Sequence, residues 1–230
     1  MSAHQGSGEN NTMQRPWLRI SKLVFGLFLY AFGIVLTIKA NIGYGPWEAF
    51  HVGLGKTIGI TMGNVSIIVG FVIIAITLLM GEKIGIGTIL NMFLIGIFLD
   101  LILRIDLIPI IENKYWAVAL LILGLYLISI GSYFYIGSGY GAGPRDGLMV
   151  ALTRKTRLPI GLVRGTIELS VTVVGWLLGG MVGVGTIIAG FAIGFCIQST
   201  FKVLKFRPTE IRHSTLAETY QELKAAFNRA

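Results

Sequence analysis

Glu168 is the residue whose chemistry is hardest to ignore, because it falls about halfway along an apolar run and Arg164 stands four positions before it. That spacing puts both side chains on one helical face. An unpaired charge in hydrocarbon is costly, so two readings stand: a structural Arg164–Glu168 ion pair, or a carboxylate that couples protons or recognises a solute. His51 could carry a proton, with a solvated or hydrogen-bonded loop histidine as the plainer account. Asn91 and Asp100 are weaker candidates; Asn91 suits a hydrogen bond between helices, and Asp100 suits a pair with Arg104 on its own helix. No cluster has metal-ligand spacing and no nucleophile stands beside an evident base, so neither a metal site, a cofactor nor an enzyme is expected.

Two further segments are distinctive, Gly43-Tyr44-Gly45-Pro46-Trp47-Glu48 and Gly141-Ala142-Gly143-Pro144-Arg145-Asp146. Glycine permits a turn through backbone states that other residues avoid, and proline suits the first turn of a helix. Glu48 and Asp146 then fall in that first turn, where a carboxylate meets exposed N–H groups favourably. One reading is a pair of structural helix starts. The other is a pair of half-helices whose termini meet near the middle of a membrane, with Glu48, His51, Arg145, Asp146, Arg164 and Glu168 as the candidate substrate or coupling site. The repeated Gly85-Ile86-Gly87-Thr88 and Gly183-Val184-Gly185-Thr186 read as helix starts or packing positions, and their N–H groups could hold an anion if buried.

The elements that must position these residues are membrane helices. Of the 230 residues 54% are hydrophobic and 13% are charged, against roughly 25% charged in an average soluble domain. Charge-free runs extend over 23–38, 57–81, 84–99, 115–144 and 169–201. Several reach the roughly 20 residues that a helix needs to cross about 30 Å of hydrocarbon. Six spans are expected, at Leu23 to Lys39, Met62 to Met80, Ile84 to Leu103, Tyr115 to Ile136, Gly161 to Leu178 and Val182 to Leu204. A β-barrel reading is poor, because period-two alternation is absent and the runs exceed the roughly 9 to 11 residues of a tilted strand. With the N-terminus inside, the inner segments carry 15 of the 19 basic residues and the outer ones only Lys39, Lys56, Arg104 and Lys114. That bias places both termini in the cytoplasm and makes the net charge of +8 a topology signal rather than a nucleic-acid surface. Residues 1–16 are polar and expected to be disordered, and Thr37 to Asn41 is not a convincing cleavage site, so the first span is expected to stay.

Sliding the chain by 98 positions aligns residues 26–100 with 124–198 without a gap, and 21 of the 75 pairs are identical. Gly26 meets Gly124, Gly33 meets Gly131, Gly43, Gly45 and Pro46 meet Gly141, Gly143 and Pro144, and Gly63 meets Gly161. The run Gly85, Gly87, Thr88 meets Gly183, Gly185, Thr186. Such register is not what apolar composition alone generates, and it indicates a duplication. Three spans per half reverse the second half relative to the first, an arrangement that recurs in secondary transporters.

At the repeated Gly-x-Gly-Pro turn followed by an acidic residue the chain resembles the bacterial YczE/YitT-like integral membrane proteins, more closely the YczE-like group. Gly43, Gly45, Pro46 and Glu48, with Gly141, Gly143, Pro144 and Asp146, carry the resemblance, which covers residues 20–205. It implies a multi-pass protein of the bacterial cytoplasmic membrane and brings no substrate or catalytic residue with it. The expected fold is therefore an all-α membrane protein with six transmembrane helices in two inverted three-helix repeats. Short helices follow the Gly-x-Gly-Pro turns, the membrane domain covers 17–208, and an amphipathic tail covers 209–230. Thr215 and Glu218 form a capping-box pattern there, and Leu216, Tyr220, Leu223 and Phe227 share one face. The expected partners are the lipid bilayer and a small solute. A transporter with a site between the halves is the first functional expectation; a non-transporting scaffold or accessory protein recruiting a cytoplasmic partner is the second.

Overall fold

The computed structural model describes residues 16–227. The expected disorder at the N-terminus falls on residues outside these, except that Pro16 already begins the first helix. The elements are α1 (Pro16–Lys39), α2 (Pro46–Ile58), α3 (Met62–Leu79), α4 (Ile86–Ile105), α5 (Lys114–Gly137), α6 (Pro144–Thr156), α7 (Ile160–Leu177), α8 (Val184–Val203), a 3-10 turn η1 (Pro208–Glu210) and α9 (Leu216–Phe227).

Six of these are long and apolar enough to cross a membrane: α1, α3, α4, α5, α7 and α8. All six expected spans are present, with ends set by local chemistry. Thr61 accepts a hydrogen bond from Asn64 N at 3.2 Å to start α3, and Asn113 accepts from Tyr115 N at 2.9 Å to start α5. Gly85 and Gly183 sit at the N-caps of α4 and α8, which therefore begin two residues later than expected. The 13-residue helices α2 and α6 rise about 1.5 Å per residue, too little to cross a hydrocarbon core of about 30 Å. Large apolar side chains such as Phe71, Leu79, Leu169 and Phe191 face outward, as lipid contact requires.

The packing is built on glycine. A Cβ on Gly33 would lie 2.7 Å from Gly124 O, and one on Gly131 would lie 2.7 Å from Gly26 O. Gly26 facing Gly131 and Gly33 facing Gly124 means that α1 and α5 run antiparallel at close range, the geometry that small residues permit between membrane helices. Around this pair, Leu23, Leu27, Ile34, Leu121 and Leu125 form the buried core.

Other contacts recur at the 98-residue offset. Helix α1 packs on α4 as α5 packs on α8, and α2 packs on α7 as α6 packs on α3. The packing of α3 along α4 has no counterpart of similar extent: α7 packs on α2 and α6 rather than along α8.

The tail folds back on its own chain. Arg19 is buried, donates from Nε to Ser138 O at 2.9 Å and from Nη1 to Glu222 at 3.0 Å, and lies 4.3 Å from the centroid of Tyr140. The Thr215–Glu218 capping box forms, with Thr215 N donating to Glu218 at 2.8 Å. Thr219 is buried, whereas Leu216 and Tyr220 stay exposed; the side chains of Leu223 and Phe227 lie outside the described residues.

Candidate functional site

The two kinds of glycine motif meet each other. Gly43 has φ of 117° and Gly141 has φ of 123°, a region that L side chains avoid. The turn at Gly43 lies against the start of α8: Gly185 N donates to Ile42 O at 2.7 Å, and a Cβ on Gly43 would lie 2.8 Å from Thr186 Oγ1. The turn at Gly141 lies against the start of α4: Gly87 N donates to Tyr140 O at 2.8 Å, and Thr88 Oγ1 donates to Ala142 O at 2.7 Å. The N–H groups at these helix starts thus bind backbone carbonyls of the opposite half. Gly183 N, in addition, donates to Thr186 Oγ1 at 3.1 Å.

Held this way, the first turns of α2 and α6 line one cavity of about 160 Å³. All six candidate site residues line it: Glu48, His51, Arg145, Asp146, Arg164 and Glu168. Much of the wall consists of residues 98 apart, among them Gly45 and Gly143, Pro46 and Pro144, Glu48 and Asp146, His51 and Met149, Ser66 and Arg164, and Gly70 and Glu168. Apolar wall comes from Val69, Ile73, Met92, Ile95, Leu125 and Ile193.

The charges in the cavity are only partly matched. Arg145 lies 3.6 Å from Glu48 and 4.7 Å from the centroid of the Trp47 ring. Arg164 Nε donates to Glu168 at 2.9 Å, the pair that the spacing anticipated. Asp146 accepts from the hydroxyl of Tyr135 at 2.9 Å, and no cationic side chain among the described residues lies at ion-pair distance from it. His51 is 1% exposed, and both its ring nitrogens lack a hydrogen-bond partner in the described structure. It sits beside Trp47 and Phe50, with ring centroids 6.2 and 5.9 Å away.

Tyr30 and Tyr135 also line the cavity, with rings edge to face at 6.1 Å, and neither was among the expected site residues. Asn91, one of the weaker candidates, lines it too. Asp100 does not, and its expected partner is replaced. It accepts from Gly63 N at 2.8 Å and from the hydroxyl of Thr61, bridging α4 to the N-terminal turn of α3 instead of pairing with Arg104.

The two equivalent flanks of the cavity differ in closeness: α3 packs along α4, whereas α7 does not pack comparably on α8. On the α3 side, a Cβ on Gly96 would lie 2.6 Å from Gly63 O, and one on Gly70 would lie 2.6 Å from Met92. Their counterparts at the 98-residue offset are Gly194, Gly161, Glu168 and Gly190. A Cβ on Gly161, Gly190 or Gly194 would meet nothing within 4 Å.

Residues 17–202 match the model of a family described as a family of unknown function, DUF6198. The chain is 38% identical over 175 residues to a protein from Bacillus subtilis (strain 168) called uncharacterized membrane protein YczE, covering 75% of this chain and 80% of the relative. It is 30% identical over 189 residues to an uncharacterized protein of Haemophilus influenzae, covering 82% and 86%. Uncharacterized protein YyaS of Bacillus subtilis is 27% identical over 171 residues, covering 71% and 82%. No solved structure matches the chain.

Proposed function

The chain belongs to the DUF6198 family, and we propose that it is a small-solute transporter whose cavity is exposed in turn to each side of the membrane by two inverted halves. Inversion is supported by the crosswise glycine contacts of α1 and α5, since equivalent helices of inverted halves run antiparallel. Reciprocal pinning of each Gly-x-Gly-Pro turn to the other half's helix start supports the same relation.

The observation that carries transport is the unequal closure of two equivalent flanks. The halves share glycines at Gly63 and Gly161 and at Gly96 and Gly194, but Gly63 touches Gly96 whereas Gly161 does not touch Gly194. Exchanging the conformations of the halves closes α7 on α8 through Gly161 and Gly194 and opens α3 from α4. The open flank starts at the end of α7 next to Arg154, Lys155 and Arg157, the side that the charge bias assigns to the cytoplasm. The state described here is, on this reading, inward-open.

Glu48 covers Gly45 at the N-cap of α2, so this helix start already has its own carboxylate. A cavity of about 160 Å³ is near the roughly 150 Å³ engineered cavity that takes benzene, which limits the solute to a small molecule. The accessory-protein reading has less behind it, because Glu222 of α9 is engaged by Arg19 of the same chain. Reconstituted protein is expected to take up at least one member of a broad metabolite panel into proteoliposomes. A preparation that moves and binds none of them while keeping a stoichiometric protein partner overturns the proposal in favour of the accessory role.

A further inference from the structure

Resting on the reading of this cavity as a solute site, we propose that the solute is a small organic monocation carrying an ammonium group, with Asp146 as its counter-charge. The cavity wall holds three carboxylates, Glu48, Asp146 and Glu168, against two guanidiniums, Arg145 and Arg164. Each guanidinium has its own glutamate, at 3.6 and 2.9 Å. Asp146 is left with a single phenolic donor, Tyr135. A carboxylate inside a membrane protein without a cation at ion-pair distance is costly, and a bound ammonium supplies that direct partner.

His51 is the second, independent pointer. It is 1% exposed, it lines the cavity, and neither ring nitrogen has a partner among the described residues. A buried imidazole of this kind costs free energy until something in the cavity pairs with it. In its uncharged form it offers an accepting nitrogen to an ammonium N–H.

The rest of the wall fits an organic cation better than a bare metal ion. The Tyr30 and Tyr135 rings border the same space, and ammonium groups are attracted to aromatic faces. Val69, Ile73, Met92, Ile95, Leu125 and Ile193 supply apolar surface for a short hydrocarbon tail, which a bare sodium ion would leave unused. An anion would meet three carboxylates and no unpaired guanidinium.

The test is equilibrium binding to the full chain in a nonionic detergent, with ethylammonium, isobutylammonium, glycine, acetate and sodium chloride as probes. Because no membrane need be crossed, the result is independent of whether the protein transports. Saturable binding of the two alkylammonium ions is expected, with roughly 10- to 100-fold weaker binding in Asp146→Asn, the range of a charged hydrogen bond. Asp146→Glu is expected to bind more tightly than Asp146→Asn. Thermal unfolding of both variants checks that each is folded. Preference for acetate, glycine or sodium, or alkylammonium binding that is equal in folded Asp146→Asn and the native chain, overturns the assignment. Binding of none of these probes overturns it as well, and uptake of an uncharged or anionic solute into proteoliposomes would then leave the transport reading standing.

Discussion

Arg145 at the start of α6 reaches Glu48 at the start of α2 across 3.6 Å, and so ties the first turns of the two short helices together at the cavity. Its guanidinium also lies over Trp47, the residue that occupies the equivalent place in the other half. One side chain thus spans the two Gly-x-Gly-Pro turns.

Removing it leaves a largely buried Glu48 without its cation. Arg145→Ala is expected to destabilise the protein by about 1–3 kcal/mol, the cost of leaving a polar partner unsatisfied. Arg145→Lys is expected to recover part of that loss, since it keeps the charge but loses the planar stack on the indole. Thermal unfolding in detergent reads both, and a native-like midpoint for Arg145→Ala would contradict the tie.

The two glycine seams separate in the same assay. Gly63→Ala places a methyl group into Gly96 O and is expected to cost about 1–3 kcal/mol through overpacking. Gly161→Ala meets open space and is expected to stay within about 0.5 kcal/mol of native stability. The larger Gly161→Leu is expected to remain folded and yet to halt uptake, because it blocks closure of α7 on α8. Equal stability losses for Gly63→Ala and Gly161→Ala would contradict the difference between the flanks.

Glu168 and Arg164 are partly exposed and lie one turn apart, so their pair contributes under about 1 kcal/mol to stability. Glu168→Gln is therefore expected to fold normally. As a cavity residue it is expected to lower uptake roughly tenfold, near 1.4 kcal/mol of lost interaction. Unchanged uptake of a demonstrated substrate by Glu168→Gln would reduce the pair to a structural one.

Which residues correspond between the halves was legible in the sequence; which residues touch was not. The turns at Gly43 and Gly141 and the starts at Gly85 and Gly183 were visible as motifs because glycine and proline are chosen for backbone geometry. That each turn is pinned to the other half's start needs the fold, since a repeat gives correspondence and not contact. Tyr30 and Tyr135 went unnoticed because an aromatic residue inside an apolar run looks like core. Asp100 looked set for Arg104 by helical spacing, but the tight approach of Gly63 to Gly96 brings the free N–H groups of the first turn of α3 beside it. The open flank was invisible for a simpler reason: Gly161 and Gly194 repeat Gly63 and Gly96, and identical residues do not say which seam is closed.

Acidification is expected to loosen the tail before the membrane core. Hydrogen bonds from the backbone N–H and hydroxyl of Thr215, then from Arg212, hold the Glu218 carboxyl below its ordinary value of 4.5. A carboxyl lowered by folding contributes stability that is complete above its unfolded value and is lost as pH falls through the folded one. Lower amide protection factors at the start of α9, relative to the intrinsic exchange rate at each pH, are therefore expected below pH 4.5, with Glu218→Gln showing the lower protection at neutral pH already. Protection factors in α9 that do not change with pH across this window would contradict the role of the cap.

The exchange of conformations between halves is tested most directly by two equivalent distances. Spin labels at Asn64 and Ile97 span the α3–α4 flank, and labels at Leu162 and Phe195 span the α7–α8 flank; all four positions are exposed and the pairs are 98 residues apart. Double electron–electron resonance in lipid nanodiscs, on chains carrying Cys196→Ala, reads each pair with and without a cavity ligand. Two populations are expected for each pair, with the 162–195 distance shortening as the 64–97 distance lengthens. A single distance for both pairs, unmoved by ligand, would contradict alternating exposure of the cavity.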